Sequence, residues 1–180
     1  MDVKYVPSAC YVGTDKEKFY QYTMIDEASR ERFIYPYKEQ SSYSTIDFVK
    51  RAIIYFGYTP KTIQTDNGSE FTHTIKTDRI HPFDMLCKEL QITHKLIRPK
   101  TPWHNGKVER SHRNDQEKFY NYLKFYSYDD LLNQMKRYRR RSNRILMSVL
   151  DWKSPIQKRR ELESMLFLYS NCSIFSVSHH

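Results

Sequence analysis

The sequence predicts a mixed α/β fold, with helices packed on a central sheet. Two observations carry this prediction. The N-terminal part holds three runs of β-forming residues, and the chain after it alternates helical patterns of apolar residues with short strand-like runs. Apolar residues make up 39% of the 180 residues and aromatic residues 15%, which is enough for a core and excludes an intrinsically disordered chain.

Three strands are predicted at the N-terminal end. Residues 1–7 combine valine and tyrosine with a closing proline, which is typical of a short strand. Residues 19–25 and 32–37 are two further β-forming runs on either side of a polar turn. These two runs predict a hairpin that follows the first strand.

A helix comes next, and shorter elements follow it. Apolar residues recur at helical spacing from Ile46 to Phe56, serine and threonine before them are capping candidates, and Gly57 marks the end. The remaining patterns predict, in order, a strand over 62–65, a short helix over 83–90, a strand over 92–97, and two helices over 108–125 and 129–141. Residues 165–180 match no pattern.

Positive charge is concentrated in the second half of the chain. The net charge of +9 arises from −1 over residues 1–90 and +10 over residues 91–180, and the densest basic run covers residues 136–144. Arginine interleaved with tyrosine suits phosphate oxygens, so this run favours a nucleic-acid partner. A solvated basic helix face is the alternative that charge alone leaves open.

Several classes of protein are excluded by the composition. No run approaches the roughly 18 apolar residues that a membrane-spanning helix needs, and the N-terminus lacks a secretory pattern. We therefore expect an intracellular protein without a membrane partner. Neither the three cysteines nor the seven histidines follow a zinc-binding spacing.

Three carboxylates stand out by their positions. Asp66 directly follows a predicted strand, where α/β folds present functional side chains, although Asp-Asn-Gly is also ordinary turn chemistry. Asp2 lies on the first strand and can reach the same crevice, or it is a frayed terminal residue. Glu109 lies one turn into a predicted helix, where a capping or surface role is the alternative.

The chemistry of metal ions is a reason to consider these three carboxylates as one site. Clustered carboxylates repel one another unless cations accompany them. Two divalent cations about 4 Å apart can activate a water or hydroxyl for phosphodiester displacement. The spacing alone does not establish that the three carboxylates converge.

Four segments, in this order along the chain, resemble the integrase catalytic core of bacterial insertion-sequence transposases, which are relatives of retroviral integrases. The segments are residues 1–7 (MDVKYVP), 24–30 (MIDEASR), 65–71 (TDNGSEF) and 102–113 (PWHNGKVERSHR). A later Trp-Lys-Ser-Pro at residues 152–155 resembles the end of these cores. We therefore expect a catalytic core over residues 1–157 and an atypical tail over residues 158–180.

The resemblance implies a ribonuclease H-like fold and a DDE active site. By motif match, Asp2, Asp66 and Glu109 would be the catalytic residues and would hold two Mg²⁺ or Mn²⁺ ions. The implied reaction is cleavage and strand transfer of DNA during transposition, without a small-molecule cofactor. The implied partners are mobile-element ends, target DNA and further copies of the chain in a homodimer or larger assembly. The implied location is the bacterial cytoplasm, at the nucleoid.

A set of polar and basic residues is expected to contact DNA. They border the expected active site or lie in the basic run: Asn67, His104, Asn105, Lys107, Arg110, Arg113, Arg139, Arg140 and Arg141. Asn67 and Asn105 suit turn or capping roles equally well, and surface solvation is the alternative for the basic residues. Asp26 is assigned to a turn, because Asp and Ser in that segment can bond the local backbone.

Departures from the family pattern leave alternatives open. The interval from Asp66 to Glu109 is 43 residues, longer than is usual in retroviral integrases, and residues 72–82 are interpreted as an insertion. The helix-turn-helix segment that these transposases carry before the core has no counterpart here, and the tail after Glu163 is unlike the usual ending. The main alternative is a truncated, catalytically inactive remnant that still binds DNA. A purely hydrolytic nuclease and an RNA-binding domain are further alternatives.

Overall fold

The computed structural model describes residues 1–14, 17–97 and 106–175. Within the last range, the side chains of Lys107, Glu109 and residues 167–175 are not described. The described residues form the strands β1 (Asp2–Tyr5), β2 (Tyr20–Ile25), β3 (Arg32–Tyr37), β4 (Thr62–Thr65) and β5 (Thr93–Leu96), and the helices α1 (Ser42–Phe56), α2 (Pro82–Glu89), α3 (Gly106–Asp115), α4 (Tyr128–Ser142) and α5 (Pro155–Phe175). This order confirms the mixed α/β prediction.

The strands form two sheets. The first has the order β1-β2-β3, and β1 pairs antiparallel with β2 so that Asp2 lies opposite Thr23. In the second, β4 and β5 are parallel, and α2 lies in the crossover that a parallel connection requires. The Met1 nitrogen donates a 2.6 Å hydrogen bond to the Gln64 carbonyl oxygen. This bond brings the start of β1 beside the end of β4.

Helix α1 has the caps that the sequence predicts. The Ser41 hydroxyl accepts a hydrogen bond from the Ser44 backbone nitrogen at 3.1 Å. Gly57 ends the helix with a φ of 78°, a left-handed conformation that favours glycine. The buried face of α1 packs into a core shared with the strands and α2. The largest fully buried residues of this core are Tyr22, Phe48, Phe71 and Phe83.

The predicted helix over residues 108–125 is wrong at its C-terminal end. Helix α3 ends at Asp115, a wider π-helical turn follows over Gln116–Tyr120, and the chain then leaves the helix. The Phe125 backbone nitrogen donates to the Cys10 carbonyl oxygen, and the Phe125 side chain is fully buried. These long-range contacts fix Phe125 in an extended conformation, which a continuous helix would not allow.

The described chain divides into two compact units. The first contains the described residues of Met1–Met24 and Phe33–Arg137, and the second contains Ile25–Arg32 and the described residues from Tyr138 onward. In the second unit, the Asn143 side chain accepts a hydrogen bond from the Arg32 backbone nitrogen and donates one to the Arg32 carbonyl oxygen. Asn143, which directly follows α4, therefore holds the end of the segment Ile25–Arg32.

Two further observations concern the second unit. The Asp26 carboxylate accepts hydrogen bonds from the backbone nitrogen and the hydroxyl of Ser29, which confirms that Asp26 belongs to a turn. Helix α5 covers residues 165–175, which are most of the segment that matched no pattern. The sequence did not predict this helix, because its apolar residues do not repeat on one face. No helix among the described residues is long and apolar enough to cross a membrane.

Candidate active site

Asp2 and Asp66 lie at the ends of neighbouring strands in the first unit. Asp2 is the first residue of β1, and Asp66 directly follows β4. The hydrogen bond from Met1 to Gln64 joins the two strands next to both aspartates. The Asp2 side chain is only 14% exposed, and Asp66 is half-buried.

The two carboxylates interact electrostatically. Burial raises the pKa of Asp2 from its ordinary 3.8 to about 6, and the negative charge of Asp66 raises this pKa as well. The Val3 backbone nitrogen opposes the shift, since it donates a 2.9 Å hydrogen bond to Oδ1 of Asp2. Asp2 and Asp66 therefore form a pair of like charges in a place where water screens them poorly.

Helix α3 contacts the same end of β1. Nδ1 of His112 lies 3.4 Å from Oδ2 of Asp2. The Lys4 ammonium lies 3.4 Å from the His112 carbonyl oxygen and 4.4 Å from the centre of the Tyr120 ring. These contacts fix the part of α3 that follows Glu109 by one turn against the first strand.

A buried polar network attaches the end of α3 to β2. The Gln21 side chain donates to Oδ2 of Asp115 at 2.8 Å and to the Thr23 hydroxyl at 2.9 Å. The Tyr120 hydroxyl donates to Oε1 of Gln21 at 2.5 Å. All four residues are buried. No local sequence pattern predicts this network, although a glutamine inside a β-forming run was a possible signal.

The turn after β4 fixes the Asp66 side chain. Oδ1 of Asp66 accepts a 3.1 Å hydrogen bond from the Gly68 backbone nitrogen. The Asn67 amide donates to the Ile97 carbonyl oxygen at 3.0 Å, so this proposed DNA contact also has a structural bond. Asp66 and Asn67 therefore have the turn role that the sequence left open as an alternative. This role uses only Oδ1 of Asp66, so Oδ2 is left for other partners.

A chain of side-chain contacts leads from Asp66 into the second sheet. The Thr65 hydroxyl lies 2.9 Å from the Asp66 carbonyl oxygen and 2.8 Å from Nε2 of His94. Nδ1 of His94 lies 2.6 Å from Oδ1 of Asp84 on α2. Thr65 is fully buried, so this chain positions the Asp66 backbone and does not present a nucleophile. Sequence spacing does not predict these contacts, because they depend on the pairing of β4 with β5.

A fourth carboxylate belongs to the same neighbourhood. Glu70 is 3% exposed, and its Oε1 accepts a 2.7 Å hydrogen bond from the Gln40 amide. Its Oε2 is buried and has no hydrogen-bond partner among the described residues. The charge of Glu70 also contributes to the raised pKa of Asp2. Glu70 belongs to the same segment as Asp66, residues 65–71, but the resemblance implies no role for it.

The remaining predicted site residues are placed as follows. Glu109 and Lys107 lie in α3, with side chains outside the described part, and His104 and Asn105 lie outside the described residues altogether. Arg110 and Arg113 are exposed on α3. In the second unit, Arg140 and Arg141 are exposed and Arg139 is half-buried in the last turn of α4.

The chemistry of the described side chains suits a divalent cation. In the described part of the chain, neither Asp2 nor Asp66 forms an ion pair with a lysine or an arginine. Carboxylate oxygens are the ligands that Mg²⁺ and Mn²⁺ prefer. No group of three metal-ligating side chains occurs among those described, and the side chain of Glu109 is not among them. The carboxylates of Asp2 and Asp66 therefore fit such an ion.

Comparisons with known proteins identify the family of this chain. The integrase core domain family matches residues 1–102, and a second family with the same description matches residues 90–145. The chain is 36% identical over 124 residues to the ORF3 integrase of Spiroplasma virus SpV1-C74. That match covers 63% of this chain and 33% of the viral protein, so the chain spans only part of its relative's length.

Solved structures show the same fold. The HTLV-2 integrase catalytic core domain, in complex with magnesium and in a dimeric form, has a TM-score of 0.64 and 24% identity, covering 88% of this chain and 92% of that one. The catalytic core domain of BIV integrase has a TM-score of 0.64 and 17% identity, covering 92% of this chain and 96% of that one. The ribonuclease H-like fold expected from the sequence is confirmed, and the chain belongs to the integrase core domain family.

Proposed function

We propose that this chain is a DDE catalytic core that cleaves DNA and transfers DNA strands during transposition. The observation that carries the proposal is the pair of carboxylates, Asp2 and Asp66, on neighbouring strands, which in the described part of the chain form no ion pair with a lysine or an arginine. A like-charged, half-buried pair destabilises a fold unless cations accompany it. The loss of stability from this repulsion is explained if the pair binds cations.

Asp2, Asp66 and Glu109 would hold two Mg²⁺ or Mn²⁺ ions. When bound, such ions activate a water or a DNA 3′ hydroxyl for in-line attack on phosphorus and stabilise the leaving oxygen. Oδ2 of Asp66 would be available to such an ion, because the turn bond uses only Oδ1. The solved HTLV-2 core in complex with magnesium supports the choice of a divalent cation.

The position of Glu109 is supported by its neighbour on the helix. Glu109 precedes His112 by three residues on α3, and residues three apart lie on the same face of a helix. Since the His112 ring contacts Asp2, that face of α3 is directed toward the first strand. The proposal therefore assigns the third carboxylate to Glu109.

DNA would bind along the basic residues of the second half. Arg110 and Arg113 are exposed on the helix that carries Glu109, and Lys107, His104, Asn105 and Asn67 are proposed to line the same surface. Arg139, Arg140 and Arg141 would contact the DNA backbone from α4. Arginine is suited to this role because its planar fork matches phosphate oxygens.

Further parts of the proposal concern the whole protein. We infer a catalytic core over residues 1–157 with an atypical tail over residues 158–180, self-association on paired DNA ends, and a location at the nucleoid in the bacterial cytoplasm. The dimeric form of the HTLV-2 core supports self-association. The ends of the mobile element and its target are the proposed DNA partners.

Resolution of a branched DNA that mimics a joined product tests the proposal. The unmodified chain with Mn²⁺ should release the branch and rejoin the strand, whereas Asp66→Asn and Glu109→Gln should reduce the rate by several orders of magnitude. Glu89→Gln is the matched control, because it removes one exposed carboxylate from the end of α2. Hydrolysis without rejoining would indicate a nuclease, and DNA binding without any product would indicate an inactive remnant.

A further inference from the structure

We propose that Glu70 is a positioning residue of the cation site, which increases the affinity of the Asp2–Asp66 pair for a divalent cation without ligating it directly. This inference rests on the proposed function and adds a residue to it. It assigns a role to a buried carboxylate that the motif match leaves without one.

The first observation is the bonding of the Glu70 carboxylate. Glu70 is 97% buried, and among the described residues only one of its two oxygens has a partner, the Gln40 amide at 2.7 Å from Oε1. Oε2 has no partner among the described residues. A buried carboxylate oxygen without a hydrogen bond is costly, so it marks a place where a further donor or a positive charge belongs.

The second observation is the contact between Glu70 and the turn that holds Asp66. A Cβ atom built on Gly68 would lie 2.5 Å from Oε2 and 2.8 Å from Oε1 of Glu70. Glycine at this position leaves the space that the carboxylate occupies. The same Gly68 donates its backbone N–H to Asp66, so the unpartnered oxygen of Glu70 lies against the turn that presents the proposed ligand.

The third observation is electrostatic. The Asp66 and Glu70 carboxylates both lie against Gly68, so two negative charges flank one residue. In the described part of the chain, Glu70 forms no ion pair with a basic side chain. Three acidic residues thus share one region, and a cation is the group that would offset their charges together.

An indirect role fits better than direct ligation. The described side chains contain no group of three residues that could ligate one ion, so Glu70 does not complete an inner set with Asp2 and Asp66. Groups in the outer shell of a metal site act through hydrogen bonds and charge, and their loss typically weakens metal affinity about 10- to 100-fold. The unpartnered Oε2 is the atom available for such a hydrogen bond.

A titration with Mn²⁺, followed by the EPR signal of the free ion, tests the role of Glu70. The unmodified chain should bind Mn²⁺, Asp66→Asn should abolish binding, and Glu70→Gln should weaken it about 10- to 100-fold. Glu89→Gln removes the same charge from an exposed position and should bind Mn²⁺ as the unmodified chain does. No binding by the unmodified chain would contradict the proposed function itself. Equal affinity of Glu70→Gln and the unmodified chain would overturn only the role of Glu70.

Thermal unfolding in EDTA separates this role from a structural one. Glutamine has the size of glutamate and retains an acceptor for Gln40, so Glu70→Gln should unfold at the same temperature as the unmodified chain or higher. Added Mn²⁺ should raise the unfolding temperature of the unmodified chain more than that of the variant, because ligand binding stabilises the folded state by mass action. A variant that is unfolded in EDTA would show that the carboxylate maintains the fold, and would overturn the proposal.

Discussion

Oδ2 of Asp2 lies 3.4 Å from Nδ1 of His112, which connects the first residue of β1 to the middle of α3. The helix carries Glu109 one turn earlier, so this contact relates two residues of the proposed metal site, Asp2 and Glu109. The Gln21 network and the Lys4 contacts fix the same helix against the first sheet. The proposed site is therefore built on a rigid junction of strand and helix.

Asp2 should make stability depend on pH in the absence of cations. Its pKa in the folded state, about 6, exceeds its ordinary value of 3.8, so the folded state retains the proton more strongly than the unfolded state does. The free energy of unfolding should therefore fall as pH rises from about 4 to about 6. Above that range, Asp2 should cause no further decrease.

Urea unfolding in EDTA, compared between the unmodified chain and Asp2→Asn, measures this effect. Since the variant cannot titrate at this position, its stability relative to the unmodified chain should increase between pH 4 and 6, by up to about 3 kcal/mol. A constant difference across that range would mean that Asp2 has an ordinary pKa.

Thr65→Val should destabilise the turn that carries Asp66. The substitution keeps the shape of the side chain but removes the hydroxyl between the Asp66 carbonyl oxygen and His94. Because buried polar groups lose a partner, the free energy of unfolding should fall by about 1–3 kcal/mol. Thr62→Val, at an exposed position of the same strand, is the control and should change it by less than about 0.5 kcal/mol. Equal effects at both positions would refute the role of the hydroxyl.

Gln21 and Tyr120 should be energetically coupled. Their side chains share a 2.5 Å hydrogen bond, and both are buried. In a double-mutant cycle with Gln21→Leu and Tyr120→Phe, the coupling free energy should be about 0.5–3 kcal/mol. Urea unfolding of the four proteins gives this value. Strict additivity would show that the network does not bind α3 to β2 as a unit.

The arginines at the end of α4 should control the salt dependence of DNA binding. Replacing Arg139, Arg140 and Arg141 by alanine should reduce the slope of log affinity against log salt by about 1 for each phosphate contact that is lost. The matched control replaces three exposed basic residues of the acidic half of the chain, namely Lys61, Lys76 and Arg79. If fluorescence anisotropy gives the same slope for both triple variants, the α4 run is only a solvated surface.

Much of the fold could be predicted from local patterns. Strand β4 has the predicted bounds, and α1 has its predicted serine cap and its glycine end, because these features depend on neighbouring residues. Helix α5 could not be predicted, since its apolar residues do not follow one face. The end of α3 could not be predicted either, because the burial of Phe125 depends on contacts distant in sequence.

The candidate site shows the same division between local and distant information. Asp2 and Asp66 could be identified because each lies in a recognisable segment next to a strand. The residues that support them could not, since His94 meets Thr65 only when β4 pairs with β5. Glu70 is a further case, because its burial and its unpartnered oxygen follow from packing and not from spacing.

Anomalous diffraction from crystals of the chain soaked in Mn²⁺ tests the metal assignment most directly. A manganese peak is expected within coordination distance of Asp2, Asp66 and Glu109, and it should be lost in crystals of Asp66→Asn. A second peak beside the first, about 4 Å away, is expected once DNA is bound. Manganese bound elsewhere, or no peak near Asp2 and Asp66 in a chain that still binds DNA, would refute the metal assignment.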